Sequence, residues 1–212
     1  MTIHSITRRR LLAWAPGALL LGPANRERRA RGAPFTLYTF GDSILDCGAY
    51  NSYGINPGQL IVRNNNELFP HFKGNDLQSH RRATLDHRAV DGATVAGLPA
   101  QARRLAPRGE SVALLTVGGN DLLGGLAADT GAGMKAFEAA LERFLRALSI
   151  RPVLLGTVYD PTFGDDRRNF LSTDPRVARA NHHRINAVIG SLAARYGRLV
   201  DLHAHYLTGD PS

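Results

Sequence analysis

Apolar residues recur with two different periods along this chain. Short runs rich in aromatic and β-branched residues read as strands: Phe35-Thr36-Leu37-Tyr38-Thr39-Phe40, then 111–117, and 152–159. Residues 134–148 follow a helical period instead. Met134, Phe137, Leu141, Phe144, Leu145 and Leu148 share one face, with Glu138, Glu142, Arg143 and Arg146 opposite. A second long helix is expected to start at Asp174-Pro175, an N-cap followed by proline at the first helical position. It buries Ile185, Val188, Ile189, Leu192 and Tyr196 and stops at Gly197. The segment 198–206 then reads as a strand. Less regular stretches lie between. Residues 48–87 are polar and rich in Asn, Gly and His, predicting a long loop. A short strand is expected over 88–94, and 93–105 permits a helix interrupted by Pro99.

Strands alternating with helices of this length imply βαβ units. The fold class is therefore α/β: a flavodoxin-like three-layer sandwich, with a mostly parallel sheet and helices on both faces. Such sheets bind ligands beyond the carboxyl ends of their strands, where the winding reverses. Three predicted strand ends carry suggestive residues. The first strand closes in Gly41-Asp42-Ser43-Ile44, the second breaks at Gly92, and the third ends in Gly118-Gly119-Asn120-Asp121. Each alone also suits an ordinary turn or helix cap, because Gly, Asp, Asn and Ser favour both.

Taken together and in this order, the three blocks resemble the SGNH hydrolases, also called GDSL-type esterases and lipases. The first matches as Phe40-Gly41-Asp42-Ser43-Ile44-Leu45-Asp46, the second at Gly92, the third as Gly118-Gly119-Asn120-Asp121. The resemblance covers roughly 35–206. It implies Ser43 as nucleophile, with an oxyanion hole formed by the Ser43 N–H, the Gly92 N–H and the Asn120 side-chain amide. The residue types suit that chemistry. Glycine permits close backbone approach, and an asparagine amide donates without needing a pKa adjustment. Ester cleavage places a negative charge where such donors converge.

A serine also needs a base, ordinarily an oriented histidine. The family's usual fourth block is Asp-x-x-His-Pro, and no Asp-x-x-His occurs after Val200. Either the given chain lacks that piece or this branch uses another group. The nearest substitutes are His205 as base and Asp201 as orienting carboxylate, which would share a strand face with His203. Four residues of strand separate that pair by roughly 13 Å, too far for a direct hydrogen bond unless the chain bends. His182 and His183 read as solvated helix surface, while His71, His80 and His87 fall in the long loop.

Charge alters this picture only at one end. The chain has 212 residues, enough for one domain with a sizeable core, and a net charge of +8. Residues 1–34 hold seven arginines and one glutamate, or +6, leaving 19 basic and 17 acidic side chains, or +2, over 35–212. Basicity therefore belongs to a leader and gives no reason to expect a nucleic-acid partner. Within the leader, Thr7-Arg8-Arg9-Arg10-Leu11-Leu12 and the apolar 11–22 resemble a twin-arginine export signal, predicting a periplasmic or extracellular protein. The apolar stretch is too short for a stable membrane span. Cys47 is the single cysteine, excluding an intrachain disulfide framework and a cysteine-based zinc cage. No dinucleotide or P-loop motif follows the first strand, so neither a cofactor nor a metal is expected. The partner expected is an ester: an acylated carbohydrate, a lipid or a small molecule. The competing reading is a non-catalytic binding module that keeps the pocket but has lost its base.

Overall fold

The computed structural model describes residues 34–207. The expected leader, except for Pro34, lies outside them. Five strands form one parallel sheet: β1 (Phe35–Gly41), β2 (Ala83–His87), β3 (Ser111–Thr116), β4 (Val153–Gly156) and β5 (Arg198–Val200). Their order, β2-β1-β3-β4-β5, reverses its winding between β1 and β3. The flavodoxin-like arrangement expected from the sequence is the one observed.

Alternation along β1 separates two cores. Tyr38 and Phe40 face one side, where Ala113, Leu115, Val153 and Leu155 continue the buried surface strand by strand. Helices α4 (Ala132–Ala147) and α5 (Pro175–Tyr196) cover it with Phe137, Leu141, Phe144, Leu145, Ile185, Ile189 and Leu192. Leu37 faces the other side with Ala83 and Val62, the latter from α1 (Pro57–Val62). Helix α5 starts as its sequence demands, with the Asp174 side chain accepting the Arg176 N–H at 2.8 Å and Pro175 following it.

Four sequence expectations are corrected. The supposed loop 48–87 contains α1 and β2, so the second strand is 83–87 rather than 88–94. Arg88 and Val90 still donate to the Thr39 and Gly41 carbonyls, which carries the chain along β1 as far as Val90, just before the turn at Gly92. The helical signal over 93–105 is realised as a 3₁₀ turn, Val95–Gly97, and one turn of helix, α2 (Leu98–Gln101). The strand expected over 152–159 is limited to Val153–Gly156. The strand expected over 198–206 ends at Val200 and gives way to α6 (Leu202–Leu207). There the Asp201 carboxylate accepts the Ala204 N–H at 3.0 Å, an N-capping bond that competes with extended backbone. Among the described residues no helix is long and apolar enough to cross a membrane.

Candidate active site

β1 and β3 lie side by side at the centre of the sheet, Gly41 opposite Thr116, so the turns that follow them emerge together. Gly41 must be glycine: its φ is +116°, and a Cβ there would fall 1.6 Å from the Thr116 carbonyl oxygen. Gln101 grips this residue from α2, accepting the Gly41 N–H at 2.7 Å and donating to its carbonyl at 2.8 Å. Asp42 points back into the protein. It accepts the Thr116 hydroxyl at 2.8 Å and the Ile44 N–H at 3.2 Å, folding the turn around the half-buried Ser43. Burial pushes the Asp42 carboxyl up to about 6, against the lowering effect of its hydrogen bonds.

Asn120 lies in α3 (Gly119–Leu123), immediately after β3, and its amide donates to the Ala93 carbonyl at 3.0 Å. A primary amide carries two N–H groups, so this bond orients the side chain without exhausting it. Asp121 accepts the Val95 N–H through both carboxylate oxygens, at 3.2 and 3.1 Å. Burial raises its pKa also. The third block thus holds the second by side chain, and Gly92 sits in the tethered loop with φ +75°. That positive φ is the physical need for glycine there, since a Cβ would meet nothing within 4 Å.

A second set of bonds holds the same loop from the other side. Asp46 accepts the Asp91 N–H at 3.0 Å and contacts His87 Nε2 at 3.2 Å, while His87 Nδ1 lies 2.7 Å from the Thr39 hydroxyl. The two ring nitrogens of His87 thus link the Asp46 carboxylate to the Thr39 hydroxyl. Tyr50 adds a hydrogen bond to the Asp91 carboxylate. Sequence reading left Asp46, His87 and Gln101 without roles, because their partners are 41 to 60 residues distant.

Ser43 and Asn120 line one cavity of about 240 Å³. Gly92 is exposed and outside that lining, linked to it through Ala93 and Asn120. The cavity continues past Thr157 and Tyr159 to α5, where His182 joins the lining. His182 is half-buried, a correction to the solvated surface expected for it. Its Nε2 donates to the Val158 carbonyl at 2.8 Å, and burial pulls its pKa below the ordinary histidine value. His203 packs edge-on against it with ring centroids 4.8 Å apart.

Asp201 and His205 stand elsewhere. Both belong to the exposed turn and helix after β5, and neither lines the cavity. The Asp201 carboxylate accepts the Thr157 hydroxyl at 3.1 Å as well as capping α6. The shared strand face expected for Asp201, His203 and His205 is lost, because the chain turns helical at Leu202. Cys47 is half-buried, and burial raises its thiol pKa, as suits an unreactive position. Among the described residues no group of three or more His, Cys, Asp or Glu could hold a metal ion.

The sequence profile of the GDSL-like lipase/acylhydrolase family matches residues 39–212. The chain belongs to that family. No curated protein matches it by sequence. Solved structures resembling this family member include the acetyl xylan esterase AlAXEase, at 21% identity and a TM-score of 0.55 over 82% of this chain and 80% of that one. Axe2, an acetylxylan esterase from Geobacillus stearothermophilus, gives 16% and 0.54 over 85% and 81%. A member of the lipolytic G-D-S-L family from Veillonella parvula gives 17% and 0.52 over 83% and 82%. At such identities the likeness speaks to the fold, and membership rests on the profile match. The family places this chain among the ester hydrolases.

Proposed function

We propose that the chain is a serine esterase that cleaves a carboxylic ester through an acyl-enzyme. The Ser43 Oγ attacks the carbonyl carbon and its proton passes to a base. The C–O bond to the alcohol then breaks as the base passes that proton to the leaving oxygen, and water, deprotonated by the same base, releases the acid from Ser43. Developing charge on the carbonyl oxygen is met by the N–H groups of Ser43 and Gly92 and by the second N–H of Asn120. The observation that carries this reading is the meeting of Ser43 and Asn120 on one cavity at the winding reversal, with Asn120 anchored to the Gly92 loop.

A histidine is the natural base, and two are to be compared. His205, with Asp201, is the pair suggested by position in the sequence; His182 is the histidine that lines the cavity with Ser43. Fluorophosphonate labelling and turnover of p-nitrophenyl esters test the assignment directly. Both should vanish in Ser43→Ala. Asn120→Ala should lower kcat about 100-fold or more with a much smaller change in KM, the pattern for a contact made in the transition state. Equal losses in kcat and binding would remove it from the oxyanion site. His182→Ala and His205→Ala decide the base by which of them abolishes turnover.

A second reading, a binding module without turnover, is favoured by the position of Asp201 and His205 outside the cavity. An unlabelled Ser43 in a folded chain that still binds ester product would establish it.

A further inference from the structure

The cavity beside Ser43 has chemically unequal walls. Leu122 and Leu123 of α3, Ala127 in the next turn, Phe170 and Leu171 from the loop after β4, and Ala178 of α5 make an apolar wall. Several of the polar groups that also line it are already engaged. Asp160 accepts from Thr162 at 2.8 and 2.6 Å and from the Gly164 N–H at 3.0 Å. Asp166 is paired with Arg179. Asn169 donates to the Leu171 and Thr173 carbonyls and accepts the Leu171 N–H, and His182 is bonded to the Val158 carbonyl. Against the apolar wall a sugar hydroxyl would lose its water without gaining a partner, whereas an alkyl chain would only remove apolar surface from water.

The geometry points to an acyl-binding pocket, so that the preferred substrates are esters of medium-length aliphatic acids rather than acetate esters. This inference rests on the serine esterase reading and adds the identity of the acyl group. In this reading Ser43 holds the carbonyl, and the chain lies along the apolar wall that includes Ala127 and Ala178. A volume of about 240 Å³ holds roughly eight groups the size of a water molecule or a methylene, at roughly 30 Å³ each. An octanoyl group is that long. Each methylene withdrawn from water is worth about a fourfold gain in affinity.

Two measurements test the pocket on the full chain. Across p-nitrophenyl esters from acetate to hexadecanoate, kcat/KM should rise at least about tenfold toward octanoate and gain nothing beyond about twelve carbons. Ala178→Phe should lower the octanoate-to-acetate ratio by about tenfold or more. Independently of turnover, the Ser43→Ala chain should bind octanoate at least about tenfold more tightly than acetate by titration calorimetry. This second arm leaves the cavity intact and so does not depend on the larger side chain being accommodated. Turnover of acetate or acetylated xylose with no gain on chain length, and no octanoate preference in Ser43→Ala, would overturn the pocket while leaving the esterase standing. Octanoate preference in Ser43→Ala without turnover of any ester would support the pocket and sink the esterase.

Discussion

Asp42 is buried, with 4% of its surface exposed, and its carboxyl titrates near 6 when folded against an ordinary 3.8. The folded state therefore holds this proton more tightly than the unfolded chain. Its stabilising effect is complete below about 3.8 and is lost as the pH rises through 6. A shift of about two units is worth roughly 3 kcal/mol. Asp42→Asn keeps an acceptor for Thr116 and Ile44 but cannot ionise. Its stability relative to the parent should improve by about 2.5 kcal/mol between pH 4 and pH 7.5, as read from urea unfolding at both values. A difference that stays constant across that range would mean the burial does not control the carboxyl. Asp121, raised for the same reason, would contribute in the same sense. Two acids beside the reactive turn thus trade stability for position, as functional sites commonly do.

At the level of elements, the problem is how three loops hold fixed relations. The turn after β1 and the helix after β3 are side by side because their strands pair. The loop after β2 has no such advantage and is tied down by side chains: Asn120 and Asp121 from one side, Asp46 with His87 from the other. Asp46 accordingly acts as a positioning residue. Asp46→Ala frees the Asp91 N–H and should lower kcat about tenfold or more while leaving KM within about threefold, since small misplacements of reacting groups cost rate steeply. Asp46→Asn, which retains a carbonyl acceptor, should recover much of the loss. Full activity in Asp46→Ala would show that Gly92 is placed without it.

Across the whole molecule, one core joins the sheet to α4 and α5, and the cavity opens at its edge. Leu141 is fully buried in that core. Leu141→Ala should cost about 2–5 kcal/mol in chemical unfolding, depending on how far the neighbours close the gap. Because α5 supplies both core side chains and the cavity wall at Ala178, the loss should be accompanied by weaker binding of long acyl chains. Destabilisation without any change in acyl preference would mean that the wall is set independently of the core.

Periodicity revealed the strongly amphipathic pieces. The face of α4 from Met134 to Leu145, the Asp174-Pro175 start of α5 and strands β1 and β3 carry their own local signals, so the parallel three-layer fold could be read before any coordinates. The serine and asparagine turns were legible for the same reason, as each directly follows such a strand. Strand β2, at the sheet edge with a polar Ala-Thr-Leu-Asp-His sequence, has too little apolar contrast to stand out from a loop. The helical turn after Val200 escaped because a single carboxylate, Asp201, decides it against extended backbone. The placement of His182 in the cavity, the Gln101 clamp on Gly41 and the Asp46–His87 brace depend on residues brought together only when the sheet closes. Local pattern carries the energetics of neighbours in sequence; those contacts draw on packing between elements far apart in it, which no window of residues contains.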